Sequence, residues 1–431
     1  MKPVLIITYY WPPSGGSGVQ RWLKFTKYLP EFGYEPIILT VDPKQASYPV
    51  IDESLIKEIP DGTEVFKTRT FEVFNLYKRS LGKGQYPHSS FVNEPKPSII
   101  QKLARFIRGN FFVPDSRIGW KKYAVRAARK LIKEYSIEKI ITTGPPHSAH
   151  LIGLEIKKYH KIKWIADFRD PWTDIFFYNE FYHTKWARKR DKKLEKLVLE
   201  KSDKVVIVSN ALKELLLEKS KEVPNDKIIV IPNGFDESDF EVPSNPPKDE
   251  FVITFTGSLA NEAGKMDVFV KALSEVMKEF QQVPVKFKMV GNIAQNVFDL
   301  FREHEIDHIL DINSYLPHKD AVFNLMNGTA CFSVIKRTEK NKGILSGKIF
   351  DYLGSRKPII CIGPEDGNVA EILSECKAGK VIDYDNEQGQ IEYLRELLRQ
   401  WKKDKDLDNS EGLCLRYTRK NLTRQLAGTL D

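Results

Sequence analysis

The residues with chemistry in them gather in short clusters, most of which directly follow a run of apolar, β-branched residues. The first cluster is Gly15-Gly16-Ser17-Gly18, leading into Val19, Gln20 and Arg21. Glycines ahead of a helix let backbone N–H groups close on an anion, and a helix N-terminus favours negative charge. A dinucleotide fingerprint with Asp42 as its ribose acid fits poorly. Arg21 occupies the third glycine position, and the strand-to-glycine spacing is too long. The next cluster is Gly144-Pro145-Pro146-His147-Ser148-Ala149-His150. Its prolines fix a turn, and Ser148 or His147 is placed to cap the helix that follows. His147 and His150 share a helix face, but no third metal ligand accompanies them. They read as polar site residues, and no metal is expected.

A third cluster, Asp167-Phe168-Arg169-Asp170-Pro171-Trp172, crowds charge at a strand end, which is costly unless paired or functional. Arg169 with Asp170 reads as a structural ion pair or as a working pair. In the second reading Asp170 meets sugar hydroxyls or helps a proton leave, and Arg169 meets a phosphate or carboxylate. His147 joins them as a candidate acid or base. Farther on, Gly257 and Ser258 end a strand in a glycine turn, with Lys265 placed to reach a diphosphate. The richest cluster runs from Lys336 through Gly343 to Ser346-Gly347-Lys348 and Asp351. Ser346 reads as the N-cap of a helix over 346–354 that stops at Gly354, so that Lys348 and the helix N-terminus make an anion site. Asp351, one turn on, is placed to accept ribose hydroxyls, and Tyr315 to lie near a base.

The elements that must hold these clusters follow from periodicity. Strand patterns recur at 4–8, 36–41, 63–67, 139–143, 163–167, 204–209 and 227–231, and again at 251–256, 285–290, 309–312, 329–334, 358–362 and 379–382. Helical patterns such as 19–31, 121–134, 185–201 and 266–280 fall between them. Alternation of this kind specifies parallel sheets built of βαβ units. At 431 residues the chain exceeds one ordinary core, and the proline- and charge-rich stretch 241–250 reads as a linker. The expected architecture is α/β, with two doubly wound parallel-sheet domains at 1–240 and 251–410, and a basic amphipathic helix at 413–431. In open parallel sheets ligands bind beyond the carboxyl ends of the strands, which is where the clusters stand.

These residues in this order resemble glycosyltransferase family 4, the retaining enzymes of GT-B fold. The resemblance spans nearly the whole chain. It rests on the opening glycine loop, Ile231-Pro232-Asn233-Gly234-Phe235-Asp236 before the linker, the Gly257 turn with Lys265, and the segment 346–354. The stretch Asp167–Trp172 looks like a branch of the family with Arg-Asp where many members carry His-Asp. The resemblance implies two Rossmann-like domains, an N-terminal one for the acceptor and a C-terminal one for the nucleotide-sugar donor. It also implies that the C-terminal helix crosses back onto the N-terminal domain. By position, Gly15 and Gly16 would lie near the donor diphosphate, Lys265 on the phosphates and Asp351 on the ribose. Two departures stand out: Gly343 occupies the position of the family's first acid, and Ser258 that of a basic residue. Either Lys336 or Lys348 takes over the anion contact, or catalysis is weakened. A weak or inactive relative, and a nucleotide-sugar isomerase or hydrolase using His147 and Asp170, are the competing readings.

The reaction the resemblance implies is sugar transfer from a nucleotide diphosphate to a polysaccharide or lipid-linked acceptor, with no cofactor and no metal. A net charge of +9 favours anionic partners. Nucleic-acid binding is not expected, because no recognition motif or aromatic platform is recognisable. The stretch 100–133 interleaves Lys102, Arg105, Arg108, Lys121, Lys122, Arg126, Arg129 and Lys130 with Phe106, Phe111, Phe112 and Trp120. It suits an anionic membrane surface as well as a solvated helix face. No signal peptide or membrane-spanning run is present, and the four dispersed cysteines read as buried thiols, so a cytoplasmic location, peripheral to the membrane, is expected.

Overall fold

The computed structural model describes residues 1–72, 98–259, 263–314, 316–338, 341–409 and 414–431, without the side chains of residues 17 and 263–265. Two compact units divide it: Met1–Pro232 with Lys420–Asp431, and Asn233–Arg419.

The first unit carries strands β1 (Lys2–Ile7), β2 (Tyr34–Val41), β3 (Glu64–Thr68), β4 (Lys139–Gly144), β5 (Lys163–Phe168), β6 (Lys204–Ile207) and β7 (Ile228–Val230). Its helices are α1 (Ser17–Tyr28), α2 (Ile99–Phe111), α3 (Lys121–Glu134), α4 (Ser148–Lys157), α5 (Lys185–Lys201) and α6 (Asn210–Lys219). The strands pair in parallel in the order β3-β2-β1-β4-β5-β6-β7. Both faces of such a sheet are covered, which explains why the strands are apolar throughout. Side chains alternate between two cores. Val4, Ile6, Ile38, Ile141 and Ile165 meet Val19, Trp22 and Phe25 of α1. On the other face Leu5, Ile7, Leu39, Ile140 and Ala166 meet Ala128 of α3 and Ile152 and Ile156 of α4. The terminal helix Arg419–Leu430, shorter than the expected 413–431, puts Leu422, Leu426 and Leu430 into the α1 face.

The second unit carries β8 (Phe251–Leu259), β9 (Val285–Ile293), β10 (Leu310–Asn313), β11 (Ala330–Val334), β12 (Ile359–Ile362) and β13 (Gly379–Ile382). Between them lie α7 (Ala263–Glu279), α8 (Gln295–Glu303), α9 (His318–Met326), α10 (Gly347–Ser355), α11 (Asn368–Glu375) and α12 (Glu387–Asp404). The order is β10-β9-β8-β11-β12-β13, again parallel. The compact units divide ahead of the proline-rich stretch 241–250. That stretch lies in the second unit, held by Ser244 Oγ donating to the Met326 carbonyl (2.8 Å) and by the Asn245 N–H on Asn327 Oδ1 (2.8 Å).

In each sheet the strand order reverses once, between β1 and β4 and between β8 and β11. At these switch points the loops leave to opposite faces and open a crevice at the carboxyl ends of the strands.

Candidate functional site

At the β8/β11 switch point the second unit holds a cavity of about 190 Å³ lined by Ser258, Ser333, Lys336, Ile344, Ser346 and Lys348, among others. Two glycines at the ends of β8 and β9 precede the cavity-lining Ser258 or pair with its strand. Gly257 and Gly291 are register partners at the ends of β8 and β9, with φ of +118° and +136°. A Cβ on Gly291 would stand 1.9 Å from the Gly257 carbonyl, so the two backbones approach as only glycine permits. Lys348, on the first turn of α10, reaches back over Gly257 and Phe255 of β8. Its Nζ lies 4.3 Å from the centre of the Phe255 ring and 3.2 Å from where a Gly257 Cβ would be. The Tyr352 hydroxyl, buried one turn on, meets the Thr256 N–H at 3.1 Å and ties α10 to β8.

Ser346 is the N-cap residue of α10, as its sequence position implies, but its side chain makes no cap hydrogen bond. The N-terminal amides of α10 therefore meet the cavity without a side-chain cap. The helix does not stop at Gly354: it runs to Ser355 and ends on Arg356 in the left-handed region (φ 60°). Gly354 is glycine for packing, since Phe240 would stand 2.3 Å from its Cβ. The cavity thus gathers Ser258, Lys336, Ser346 and Lys348, with Gly257 and Gly347 beside it. Asp351 is half-buried on α10 and does not line it. Tyr315 and the side chain of Lys265 lie outside the described residues, and Gly343 sits half-buried in the turn Asn341–Gly343.

The first unit gathers its clusters at its own switch point. The glycine loop is fixed by the Gly15 N–H on the Val50 carbonyl (3.0 Å), and Gly16 (φ 103°) starts α1 with no side-chain cap. Arg169 lies against this start: a Cβ on Gly18 would stand 1.6 Å from its Nη1. Its Nε donates to the Gly144 carbonyl (3.2 Å) and its Nη2 to that of Pro145. A guanidinium beside a helix N-terminus brings two positive ends together, an arrangement that an anion relieves. Asp170 is exposed rather than buried against Arg169. The charged group that is structurally paired is Asp167. It is fully buried and accepts from Arg21 Nη2 (2.9 Å), Trp22 Nε1 (2.8 Å) and Thr143 Oγ1 (2.9 Å).

His147 is nearly buried and stacks face to face on Trp172, ring centres 4.8 Å apart. Burial, then the neighbouring His150, holds its imidazole well below the usual histidine range. Burial likewise pushes His150 down to about 3. Both rings are therefore neutral hydrogen-bonding groups at neutral pH. Capping of α4 comes from neither His147 nor the Ser148 side chain. Asp115 does it, taking the Ser148 N–H at 2.8 Å and its hydroxyl at 2.9 Å.

Trp172 is in turn held by Asp191 of α5, which accepts its Nε1 (2.7 Å) and the Tyr178 hydroxyl (2.8 Å). Burial raises the Asp191 carboxyl to about 7. Thr173 donates to Glu195 at 2.6 Å, and Lys219 bridges Asp174 and Glu195. The sequence hid these positioning residues. Asp191 and Glu195 sit in Lys185-Trp186-Ala187-Arg188-Lys189-Arg190-Asp191-Lys192-Lys193-Leu194-Glu195, which reads as a solvated basic helix.

In the stretch 100–133, Trp120 is fully buried and donates to Thr68 (2.7 Å), and Arg105 is buried against Glu180 (2.9 Å). Those two therefore offer nothing to a surface partner. Instead α2 is inside out: it buries Arg105 and Gly109, and exposes Ile99, Leu103, Ile107 and Phe111 at successive four-residue steps.

Comparison with known proteins bears on both units. The sequence profile described as Glycosyltransferase Family 4 matches residues 17–239. No curated protein sequence matches the chain. Among solved structures the chain is similar to the S. aureus TarM G117R mutant in complex with fondaparinux, alpha-GlcNAc-glycerol and UDP (TM-score 0.61, 12% identity, 100% of each chain). It is also similar to Anabaena HepE in complex with UDP-glucose (0.60, 11%, 100% of this chain and 99% of that one). A third likeness is to sucrose-phosphate synthase from Thermosynechococcus elongatus (0.59, 13%, 100% and 98%). At such identities the likeness is one of fold: two parallel-sheet α/β domains of the GT-B fold.

Proposed function

The chain belongs to glycosyltransferase family 4, and from that premise we propose that it transfers a sugar from a nucleotide diphosphate donor with retention of configuration and without a metal. The observation that carries the reading is the cavity at the β8/β11 switch point, where two lysines and the start of α10 meet. Lys348, Lys336, Ser346 and the Gly347 amide hold the donor diphosphate, with Ser258 and Gly257 against it and Lys265 assisting. Asp351 takes the ribose hydroxyls and Tyr315 the base. Lys348 stands over Gly257 and so supplies a cation beside the position where Ser258 replaces the family's basic residue. In the first unit Gly15, Gly16 and Arg169 meet an anionic group, and His147 and Asp170 address acceptor hydroxyls.

In the reaction the anomeric carbon–oxygen bond to the diphosphate breaks while the acceptor oxygen bonds to the same face. The acceptor proton passes to the departing diphosphate. Fixed ammonium groups and helix amides, already oriented, stabilise the charge that develops there. The test is donor turnover in EDTA with UDP-, GDP- and ADP-sugars, and NMR of the product anomer. A product of inverted configuration, or a strict need for Mg²⁺, overturns the mechanism. Free sugar formed without an acceptor would favour the hydrolase reading.

The acceptor is proposed to be a glycan or lipid-linked sugar met at an anionic membrane face, and the protein to be a cytoplasmic, peripheral one. No helix among the described residues is long and apolar enough to cross a membrane. What supports surface attachment is the inside-out α2, whose Ile99 and Phe111 are 85% and 74% exposed. Asn110 accepts the Thr184 N–H (2.7 Å) and so places the start of α5 beside it. There Trp186 is 62% exposed amid Lys185, Arg188, Lys189 and Arg190. Apolar side chains flanked by cations match an anionic bilayer surface. Co-sedimentation with phosphatidylglycerol vesicles is expected for the wild type and lost in Ile99→Asp/Phe111→Asp. Equal binding by both proteins removes α2 from the interface.

A further inference from the structure

The cysteines separate into two kinds. Cys331 and Cys361 lie in the central strands β11 and β12, wholly buried, and burial pushes both thiols up to about 12. They are packing residues. Cys376 and Cys414 are 38 positions apart in sequence, yet they pack into one apolar cluster, brought together by the ion pair between their neighbours Glu375 and Arg416. Cys376 closes the C-terminus of α11, and Cys414 opens the short turn Leu415–Tyr417 that leads into the terminal helix. Both belong to one apolar cluster with Phe235, Phe350 and Tyr417.

The residues next to each cysteine hold this approach in register. Glu375 pairs with Arg416 and accepts the Tyr417 hydroxyl at 3.0 Å. Tyr417 packs on Phe350, ring centres 5.7 Å apart. The Tyr417 carbonyl accepts the Phe235 N–H (3.1 Å), and the Phe235 carbonyl accepts the Arg419 N–H (2.7 Å). The segment after Cys414 is thus laid along the stretch by which the chain enters the second unit.

We propose that Cys376 and Cys414 are a thiol–disulfide pair, whose oxidation staples the segment entering the terminal helix to the end of α11. The oxidant is a small-molecule disulfide such as oxidised glutathione. Cys414, the more exposed of the two, attacks it as thiolate, forming a mixed disulfide and releasing one glutathione thiolate. The deprotonated Cys376 sulfur then attacks the Cys414 sulfur and releases the second. Two protein thiols are oxidised, one glutathione disulfide is reduced, and the two thiol protons end on the two released glutathione thiolates. Burial raises the Cys376 thiol, so the second step, which needs its thiolate, is the slower one. The closed loop constrains the unfolded second unit, and the staple fixes residues 414–419 in the folded one. The pair does not depend on the glycosyl-transfer reading.

The test is peptide mapping of the full-length protein after incubation with oxidised glutathione at pH 8. The expected result is a single Cys376–Cys414 cross-link, with Cys331 and Cys361 unmodified. The melting temperature should rise by several degrees, and dithiothreitol should reverse the rise. Cys376→Ser is expected to stop at glutathionylated Cys414 with no thermal shift, and Cys414→Ser to take no glutathione. A wild-type protein that accumulates only the mixed disulfide overturns the proposal, as does one that reacts equally at Cys331. The wild type is itself the primary sample, so the test stands even where a variant folds poorly.

Discussion

At the scale of single residues, electrostatics decides which side chains work and which hold others in place. Lys348 and Arg169 each stand at the start of a helix, Arg169 against α1 and Lys348 on the first turn of α10. Neither position favours a cation in isolation, since a helix N-terminus is already positive. An incoming diphosphate converts both features into attraction. Lys348→Met is therefore expected to weaken UDP or GDP binding by about 10- to 100-fold, the worth of a charge-assisted hydrogen bond of roughly 1.5–3 kcal/mol. Isothermal titration reads this directly, and unchanged affinity would take Lys348 out of the donor site. Asp191 is a different case, a buried acid whose carboxyl stands near 7 rather than 3.8. The folded state holds this proton more tightly than the unfolded chain does. Its contribution is therefore greatest at low pH, declines as pH rises from about 4 to 7, and is flat above. Asp191→Asn is expected to flatten that part of the stability profile, measured by urea unfolding at pH 5 and pH 8. A slope identical to wild type would mean that Asp191 is ionised throughout. Because Asp191 orients Trp172, on which His147 stacks, the substitution should also lower turnover more than donor affinity.

At the scale of elements, sequence pattern and observed structure part company for physical reasons. The run Val4-Leu5-Ile6-Ile7 and its counterparts are legible as buried parallel strands, because both faces of the sheet need apolar cover. The glycine turn at 257 is legible as well, and so is the start of α10 at Ser346. The partner that makes Gly257 necessary is not. Gly291 lies 34 positions on and meets it only through the β8/β9 register. Asp191 escapes detection because a lone acid among lysines and arginines has the local pattern of a solvated face. Only the fold of residues 172–178 over α5 buries it. The mutual fit of the two glycines makes a prediction at this scale. Gly291→Ala puts a methyl group into the Gly257 carbonyl and a side chain at φ +136°, with no flexible neighbour to yield. A loss of about 3 kcal/mol in the stability of the second unit is expected. A Gly62→Ala control also has positive φ, but no atom within 4 Å of the new Cβ, so it should cost less. Equal losses in the two would show that backbone conformation, not the close approach, sets the cost.

At the scale of the whole molecule, the chain leaves the first unit at Pro232 and supplies that unit's last piece only at Lys420. The terminal helix is not an appendage. Leu422, Leu426 and Leu430 are at most 1% exposed and share a core with Trp22, Ile38 and Ile141. Burying each is worth about 1.5–3 kcal/mol, a large part of the net stability of a unit this size. Lys420 pairs with Glu31 (2.6 Å), and the Tyr34 hydroxyl donates to Asp431 (2.6 Å), which fixes both ends of the helix on the same unit. A first domain drawn from sequence as residues 1–240 therefore lacks part of its own core. Expressed alone, that fragment is expected to expose the apolar α1 face, bind ANS and melt without cooperativity. Joined through a flexible linker to residues 413–431, it is expected to regain a cooperative transition, and Leu426→Asp in the joined fragment should abolish that gain. If residues 1–240 alone melted cooperatively at the temperature of the joined fragment, the helix would be dispensable to the first unit. The non-contiguous division of the chain would then describe contacts, not a folding unit.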